Sequence, residues 1–155
     1  MCGIAGRILS APGQVGRDLV ALMAAQEHRG ADSTGFAVYG VPKDDRFVLR
    51  GMGFDKAQRD ANLADFEAVL RDHGGGFQVD PQIISDAAKH YCFRMEITPP
   101  KDLAALISDA DMLTDRIEIQ SCGRSLEIIK DGGSAEEVSE KHKDHDKIVT
   151  HGLGH

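Results

Sequence analysis

Apolar and polar positions repeat along the chain in patterns that predict both helices and strands. A period near 3.6 residues marks the clearest helix, at residues 56–72. Its apolar face consists of Leu63, Phe66, Val69 and Leu70. Gly74, Gly75 and Gly76 follow this face and indicate where the helix stops. Strict alternation at residues 91–97 predicts instead a half-buried strand, so the pattern indicates an α+β chain.

The remaining elements follow from shorter signals. Further strands are predicted at residues 2–9, 34–39, 46–50, 117–119, 126–128 and 147–153, and further helices at residues 17–27, 80–89 and from Leu103 onward. Strands 34–39 and 46–50 are expected to form an antiparallel pair. Asp80 and Pro81 suit the cap and first position of a helix. Residues 134–137 form a capping box.

One domain is expected over residues 1–155, with an insertion at about residues 90–131. That segment is predicted to run strand, helix, strand, strand, as a small α/β unit with its own sheet.

Composition narrows the class of protein. The 155 residues are 41% hydrophobic, which is enough for one buried core. A net charge of −7 argues against nucleic acid as a partner. The longest apolar run, residues 19–25, is far shorter than the roughly 20 residues that span a bilayer. Three widely spaced cysteines and the lack of a signal peptide indicate a reduced, cytoplasmic protein with no membrane partner.

Cys2 directly follows the initiator methionine, which is removed when the second side chain is small. The chain would then begin with a residue that carries both a thiol and a free α-amine. An α-amine has a pKa of about 7.7–8.0, close enough to neutral to act as the base for its own thiol. The alternative interpretation is a small apolar residue that leads into a buried strand.

Three segments carry a resemblance to a known family. They are Cys-Gly-Ile at residues 2–4, His-Arg-Gly-Ala-Asp-Ser-Thr-Gly at residues 28–35 and Thr-His-Gly-Leu-Gly-His at residues 150–155. Together they resemble class II glutamine amidotransferases, whose catalytic domain is an N-terminal-nucleophile hydrolase, a four-layer αββα sandwich. The His-Arg-Gly form is similar to the glutaminase domains of amidophosphoribosyltransferase and of glutamate-synthase-type proteins.

The resemblance implies roles for three residues. Cys2 would be the nucleophile that attacks the side-chain amide of glutamine, with Arg29 and Gly30 beside it. A guanidinium near a thiol favours the thiolate, and glycine admits close backbone approach. Alternatively, Arg29 forms a structural ion pair with Asp32 or another carboxylate. Asp32 and Ser33 are expected to fix the turn through side-chain to backbone hydrogen bonds.

The resemblance implies glutamine as substrate, no cofactor and no metal, and ammonia passed to a synthase subunit or downstream domain. The family's glutamine-holding arginine and threonine, its oxyanion-hole pair and its amine-binding acid all follow the position matched by His155. The sandwich is therefore expected to be incomplete at its C-terminus, and this chain alone to be a weak or inactive enzyme. If Met1 stays in place, the amine is acylated and cannot act as a base.

Other interpretations stay open. The chain could be a non-catalytic amidotransferase-like protein that only binds a partner, or another N-terminal-nucleophile hydrolase that cleaves an amide without ammonia transfer. His142, Asp144, His145 and Asp146 could ligate a metal, but alternating charges more often mark a solvated face. Cys92 and Cys122 could face each other as ligands or a redox pair, although buried thiols are the commoner case.

Overall fold

The computed structural model describes residues 3–27, 32–86, 89–113 and 115–155. In chain order the elements are β1 (Ala5–Gly13), α1 (Val15–Ala24), β2 (Ser33–Tyr39), β3 (Phe47–Phe54), α2 (Arg59–Asp72), β4 (Phe77–Asp86), β5 (His90–Ile97), α3 (Leu103–Ala110), β6 (Ile117–Gly123), β7 (Leu126–Gly132), α4 (Ala135–His142) and β8 (Val149–Gly154). Within the described ranges the chain is therefore α+β, with two antiparallel sheets and four α-helices. None of the helices found there is long and apolar enough to cross a bilayer.

The chain divides into two compact units. The terminal unit comprises Met1–Pro42 and Ser125–His155, and the central unit comprises Lys43–Arg124. Each unit contains one four-stranded antiparallel sheet and two of the helices. This set of elements is compatible with a sandwich fold.

The sheet of the terminal unit has the strand order β1-β8-β2-β7. Along β2, Thr34, Phe36 and Val38 are buried, because alternate residues of a strand face the same side of a sheet. These side chains face a core to which α1 and α4 contribute Val15, Leu19, Met23 and Val138. The capping box predicted at residues 134–137 is confirmed at the start of α4.

The sheet of the central unit has the strand order β4-β5-β3-β6, with α2 and α3 over its core. The predicted helix at residues 56–72 is confirmed, as a short 3₁₀ turn at Lys56–Gln58 followed by α2. Its predicted glycine stop is also confirmed. Gly74 has a φ of +73°, and the Gly75 amide donates to the Leu70 carbonyl at 2.8 Å.

Two glycines of β3 lie under aromatic rings of β5. In the strand register Gly51 is opposite Phe93 and Gly53 is opposite Tyr91. A Cβ on Gly53 would come within 2.0 Å of the Tyr91 ring, and one on Gly51 within 2.4 Å of the Phe93 ring. The Gly-Met-Gly sequence of β3 is therefore required by the rings that pack across it.

Two predictions about local structure are wrong. Residues 80–89 were expected to begin a helix, but Asp80 and Pro81 lie within strand β4. Exposed and partly buried residues alternate along the first half of β4, and β4 is an edge strand, where proline is tolerated. Strands β2 and β3 do not form the expected antiparallel pair, because they belong to different sheets.

The segment at about residues 90–131 has no sheet of its own, contrary to expectation. Strand β5 pairs with β3 and β4, β6 pairs with β3, and β7 pairs with β2. All of these partners lie outside the segment, because strand pairing is non-local and the sequence pattern does not specify partners. That the segment is an insertion relative to other proteins stays a prediction.

A buried carboxylate in the central unit forms ion pairs with three basic side chains. The carboxylate of Glu96 accepts from Lys43 Nζ at 2.7 Å, from Arg46 Nη1 at 2.9 Å and from Arg94 Nη2 at 3.2 Å. These hydrogen bonds lower the pKa of Glu96 to about 2, and the one from Lys43 has the largest effect. The ion pairs of Glu96 with Lys43 and Arg46 therefore connect the segment before β3 to β5, an interior strand of the sheet.

Replacing Glu96 with glutamine is expected to lower the free energy of unfolding at pH 7 by about 2 kcal/mol, since charge-assisted hydrogen bonds are lost. Because the folded pKa lies below the usual value of 4.5, this contribution is present above pH 4.5 and disappears as the pH falls towards 2. Urea denaturation from pH 7 to pH 3 measures the difference. Glu67→Gln, which breaks an exposed pair with Arg71, is the control and should cost no more than about 0.5 kcal/mol. An equal cost for the two variants at pH 7 would contradict the prediction.

Candidate functional site

The three predicted site residues, Cys2, Arg29 and Gly30, lie outside the described residues. So do His28 and Ala31 of the second motif. The structure describes the residues that flank these positions along the chain, from Gly3 onward, up to Glu27 and again from Asp32. The candidate site is therefore built from these flanking residues.

The described parts of the three motif segments lie at, or next to, the same end of the terminal unit's sheet. Ala5 near the start of β1 and Phe36 near the start of β2 both pair with Gly154 at the end of β8. The pairing extends to His155, which exchanges two backbone hydrogen bonds with Gly35, at 2.7 and 2.9 Å. Positions that are about 30 and 150 residues apart in the sequence thus become neighbours across three adjacent strands.

Glycines in β8 allow α1 to lie close to this end of the sheet. A Cβ on Gly152 would be 2.8 Å from Leu19 Cδ1, and one on Gly154 would be 2.6 Å from Met23 Cγ. Leu19 and Met23 are both buried residues of α1. The Gly-Leu-Gly sequence at residues 152–154 is thus explained by helix packing, and α1 is directed along β8 towards its C-terminal end.

The end of α1 meets the start of the chain at Gly3. A Cβ on Gly3 would be 2.5 Å from Gln26 Oε1, so the carboxamide of Gln26 lies directly against residue 3. Gln26 Nε2 donates to the Leu22 carbonyl at 3.3 Å. Gln26 lies two residues after the end of α1, within the helix predicted at residues 17–27, and the sequence does not indicate what it contacts.

The start of β2 is held by contacts to Gly133, the residue that follows β7. The Thr34 hydroxyl donates to the Gly133 carbonyl at 3.0 Å, and the Gly133 amide donates to the Asp32 carbonyl at 3.4 Å. Gly133 has a φ of +123°, a backbone conformation that favours glycine. That the side chains of Asp32 and Ser33 fix the preceding turn stays a prediction, and the contact of Thr34 was not foreseen.

The hypothesis that His142 and His145 ligate one metal ion together is wrong. His142 Nε2 lies 3.1 Å from Asp131 Oδ2, and both side chains are 2% exposed. His145 instead contacts Ser139, whose Oγ is 3.3 Å from its Nδ1. The two histidines therefore have different partners. The buried Asp131–His142 pair was not foreseen, because a strand and a helix bring together residues eleven positions apart.

Cys92 and Cys122 do not face each other. Both flank β3, where Cys92 pairs with Met52 and Cys122 pairs with Leu49. Positions 49 and 52 point to opposite faces of the sheet, since the strand period is two. Neither cysteine forms a disulfide. Burial raises the pKa of Cys122 to about 12, which keeps it a thiol at neutral pH.

At this end of the terminal unit's sheet, strand β1, the end of helix α1 and strand β8 converge. No protein-family model matches the chain. It is 31% identical over 162 aligned positions to "Putative glutamine amidotransferase" of Methanothermobacter thermautotrophicus, covering all of this chain and 51% of that protein. It is 25% identical over 158 positions to "Glutamine amidotransferase-like protein GlxB" of Rhizobium meliloti, covering all of this chain and 49% of that protein. The chain thus spans about half the length of these curated relatives, and the similarity supports a relationship to glutamine amidotransferases.

Proposed function

We propose that the chain is the N-terminal part of a class II glutamine amidotransferase domain that releases ammonia from glutamine. The convergence of its three motif segments at one end of a single sheet is the main support for this proposal. Similarity to two proteins named as amidotransferases or as amidotransferase-like supports it independently. Cys2 and residues 28–31 are covalently joined to Gly3, Glu27 and Asp32, which are described.

The proposed chemistry begins once Met1 has been removed. The α-amine of Cys2 takes the proton of its own thiol, and the thiolate attacks the side-chain carbonyl carbon of glutamine. The C–N bond breaks, the amine returns the proton to the leaving nitrogen, and ammonia departs. Water activated by the same amine then attacks the glutamyl thioester, which releases glutamate and restores the thiol.

Arg29 and Gly30 are proposed to support this step. A guanidinium beside the thiol stabilises the thiolate, and a glycine lets the backbone approach the substrate closely. The groups that hold glutamine and its oxyanion are expected to follow His155 in the complete protein. Ammonia would pass to a synthase subunit or a downstream domain, and the protein is proposed to act in the cytoplasm.

The proposed fold is the four-layer αββα arrangement of N-terminal-nucleophile hydrolases. Two observations support it: each unit has a four-stranded antiparallel sheet, and each sheet is packed by two helices. The proposal of this specific fold rests on the family resemblance.

The proposal is tested by intact mass before and after incubation with a glutamine-mimicking diazo-ketone, which alkylates a thiol with loss of N₂, the thiol proton going to the carbon that held the nitrogen. We expect a chain that lacks Met1 and carries one adduct, mapped to Cys2 by peptide mass. Cys2→Ala should remain unlabelled. Cys92, which is buried, and Cys122, whose pKa is raised to about 12, should stay unmodified as internal controls.

If a chain that has lost Met1 stays unlabelled, and a version extended past His155 also stays unlabelled, the proposal is overturned and a non-catalytic relative is favoured. Equal labelling of the Cys2→Ala variant would show that the adduct reports a different thiol.

A further inference from the structure

A cleft at one end of the central unit's sheet has no part in the proposed function. It has a volume of about 740 Å³ and is lined by Phe54, Asp55, Lys56, Ala57 and Lys89. This volume falls within the roughly 300–1,000 Å³ of small-molecule sites. All five lining residues belong to the central unit, whereas the three motif segments belong to the terminal unit. The cleft is therefore a candidate binding site of its own.

The wall of the cleft is a turn with a fixed backbone, directly after β3. Asp55 has a φ of +62°, and such a conformation costs free energy even for aspartate, which tolerates it better than most residues. Its amide donates to the Lys89 carbonyl at 3.1 Å, and its carbonyl accepts from the Gln58 amide at 3.0 Å. Its side-chain Oδ1 accepts from the Ala57 amide at 3.1 Å. These hydrogen bonds hold together the two segments that carry the lining side chains.

The two ammonium groups that line the cleft differ in their partners. Lys56 Nζ lies 2.8 Å from Asp86 Oδ2, so its charge is largely balanced. The exposed side chain of Lys89 has no hydrogen bond or ion pair to any residue that the structure describes. Phe54 and Ala57 add an apolar surface to the same cleft. The cleft thus combines an unpaired cation with an apolar wall.

We propose that this cleft binds a small organic anion, with its carboxylate or phosphate on Lys89 Nζ and its apolar body against Phe54 and Ala57. An ammonium group only donates hydrogen bonds, and it donates most strongly to a negatively charged oxygen. Apolar area removed from water supplies the rest of the binding free energy. The carboxylate of Asp55 lines the same cleft with the opposite charge, so it weakens the binding of an anion.

The test is an NMR titration of the whole chain with two probes, benzoate and phenyl phosphate. Either probe should shift the backbone signals of residues 54–57 and 89 in a saturable way. Phenol lacks the charge and inorganic phosphate lacks the apolar body, so each should bind at least about fivefold more weakly than phenyl phosphate. The ratio of the dissociation constants for the two probes shows which anionic group the cleft prefers.

Two charge variants should change the affinity in opposite directions. Lys89→Gln removes the cation, so the dissociation constant for phenyl phosphate should rise about fivefold or more. Asp55→Asn keeps an acceptor for the Ala57 amide and tolerates the positive φ, but it removes the negative charge. Its dissociation constant should fall about twofold or more. Lys101→Gln, at an exposed position beyond the opposite end of β5, is the matched control and should bind like wild type.

Three results would overturn the proposal. They are the absence of saturable shifts at residues 54–57 and 89 with both probes, a Lys89→Gln variant that binds phenyl phosphate as tightly as wild type, and phenol binding equal to that of phenyl phosphate. Thermal unfolding midpoints show that each variant remains folded. Labelling at Cys2 is not part of the measurement, so the result does not depend on the proposed function.

Discussion

A chain that carries an uncleaved extension in front of Cys2 is expected to react with the glutamine analogue at least about 100-fold more slowly than the chain that begins at Cys2. In the extended chain the nitrogen of Cys2 is an amide, which cannot accept a proton from the thiol. A positioned general base contributes about 10²–10⁴ to a rate, so its removal should be the largest single effect on reactivity apart from removal of the thiol.

The measurement uses one preparation in two states. The extension ends in a protease site that is cut directly before Cys2, and labelling rates are measured before and after cleavage. Unfolding curves should be the same in both states, because the strand register begins at Ala5, beyond the altered end. Equal labelling rates before and after cleavage would show that the α-amine is not the base.

Replacing Gly16 with alanine is expected to destabilise the protein by about 3 kcal/mol, although alanine is the better helix former by about 1 kcal/mol. Gly16 lies in the first turn of α1, and its amide donates to the Lys147 carbonyl at 3.3 Å. A Cβ at this position would be 1.7 Å from the Asp144 backbone oxygen and 2.8 Å from the Asp144 carbonyl carbon. Backbone atoms cannot rotate away as a side chain can, so the segment before β8 must shift.

Chemical denaturation compares this variant with Gly40→Ala in the same unit. A Cβ on Gly40 would find only the Ser125 carbonyl oxygen, at an ordinary contact distance of 3.7 Å. The control should therefore change the free energy of unfolding by less than about 1 kcal/mol. If Gly16→Ala is as stable as wild type or more stable, helix propensity outweighs the close approach and the prediction is wrong.

Local signals in the sequence predicted single elements well. The apolar period of α2, the alternation in β5 and the capping box of α4 each depend on residues within a few positions of one another. Such signals act through backbone preference, so the elements form in the folded chain. Strand β5 is nevertheless buried on both faces, Cys92 and Glu96 included, and not half-buried as its alternation predicted. Local signals do not say which strands pair, and the expected pairing of β2 with β3 failed for that reason.

Pro81 shows how a local signal can mislead. An aspartate followed by proline suits a helix start, but it also suits an edge strand, where the missing amide hydrogen costs nothing. Only the position of β4 at the edge of its sheet decides between these two structures.

For the candidate site too, the sequence identified consecutive residues but not the contacts between distant ones. Its motifs could be found from the sequence because their residues are consecutive, and Cys2, Arg29 and Gly30 stay predictions. The contacts that build its surroundings could not be found. Gln26 meets Gly3 across 23 positions and Thr34 meets Gly133 across 99, so neither contact follows from a local pattern.

Because the chain divides into two compact units, its strands become available for pairing at different times during synthesis. The ends of the central unit are adjacent, since the Lys43 amide donates to the Arg124 carbonyl at 3.0 Å. That unit is completely translated while β1 still lacks its partner, because Ala5 pairs with Gly154. Throughout this interval the nascent β1 exposes unpaired backbone groups on both edges. Its Arg7 and Pro12 are residue types that discourage edge-to-edge pairing with other chains.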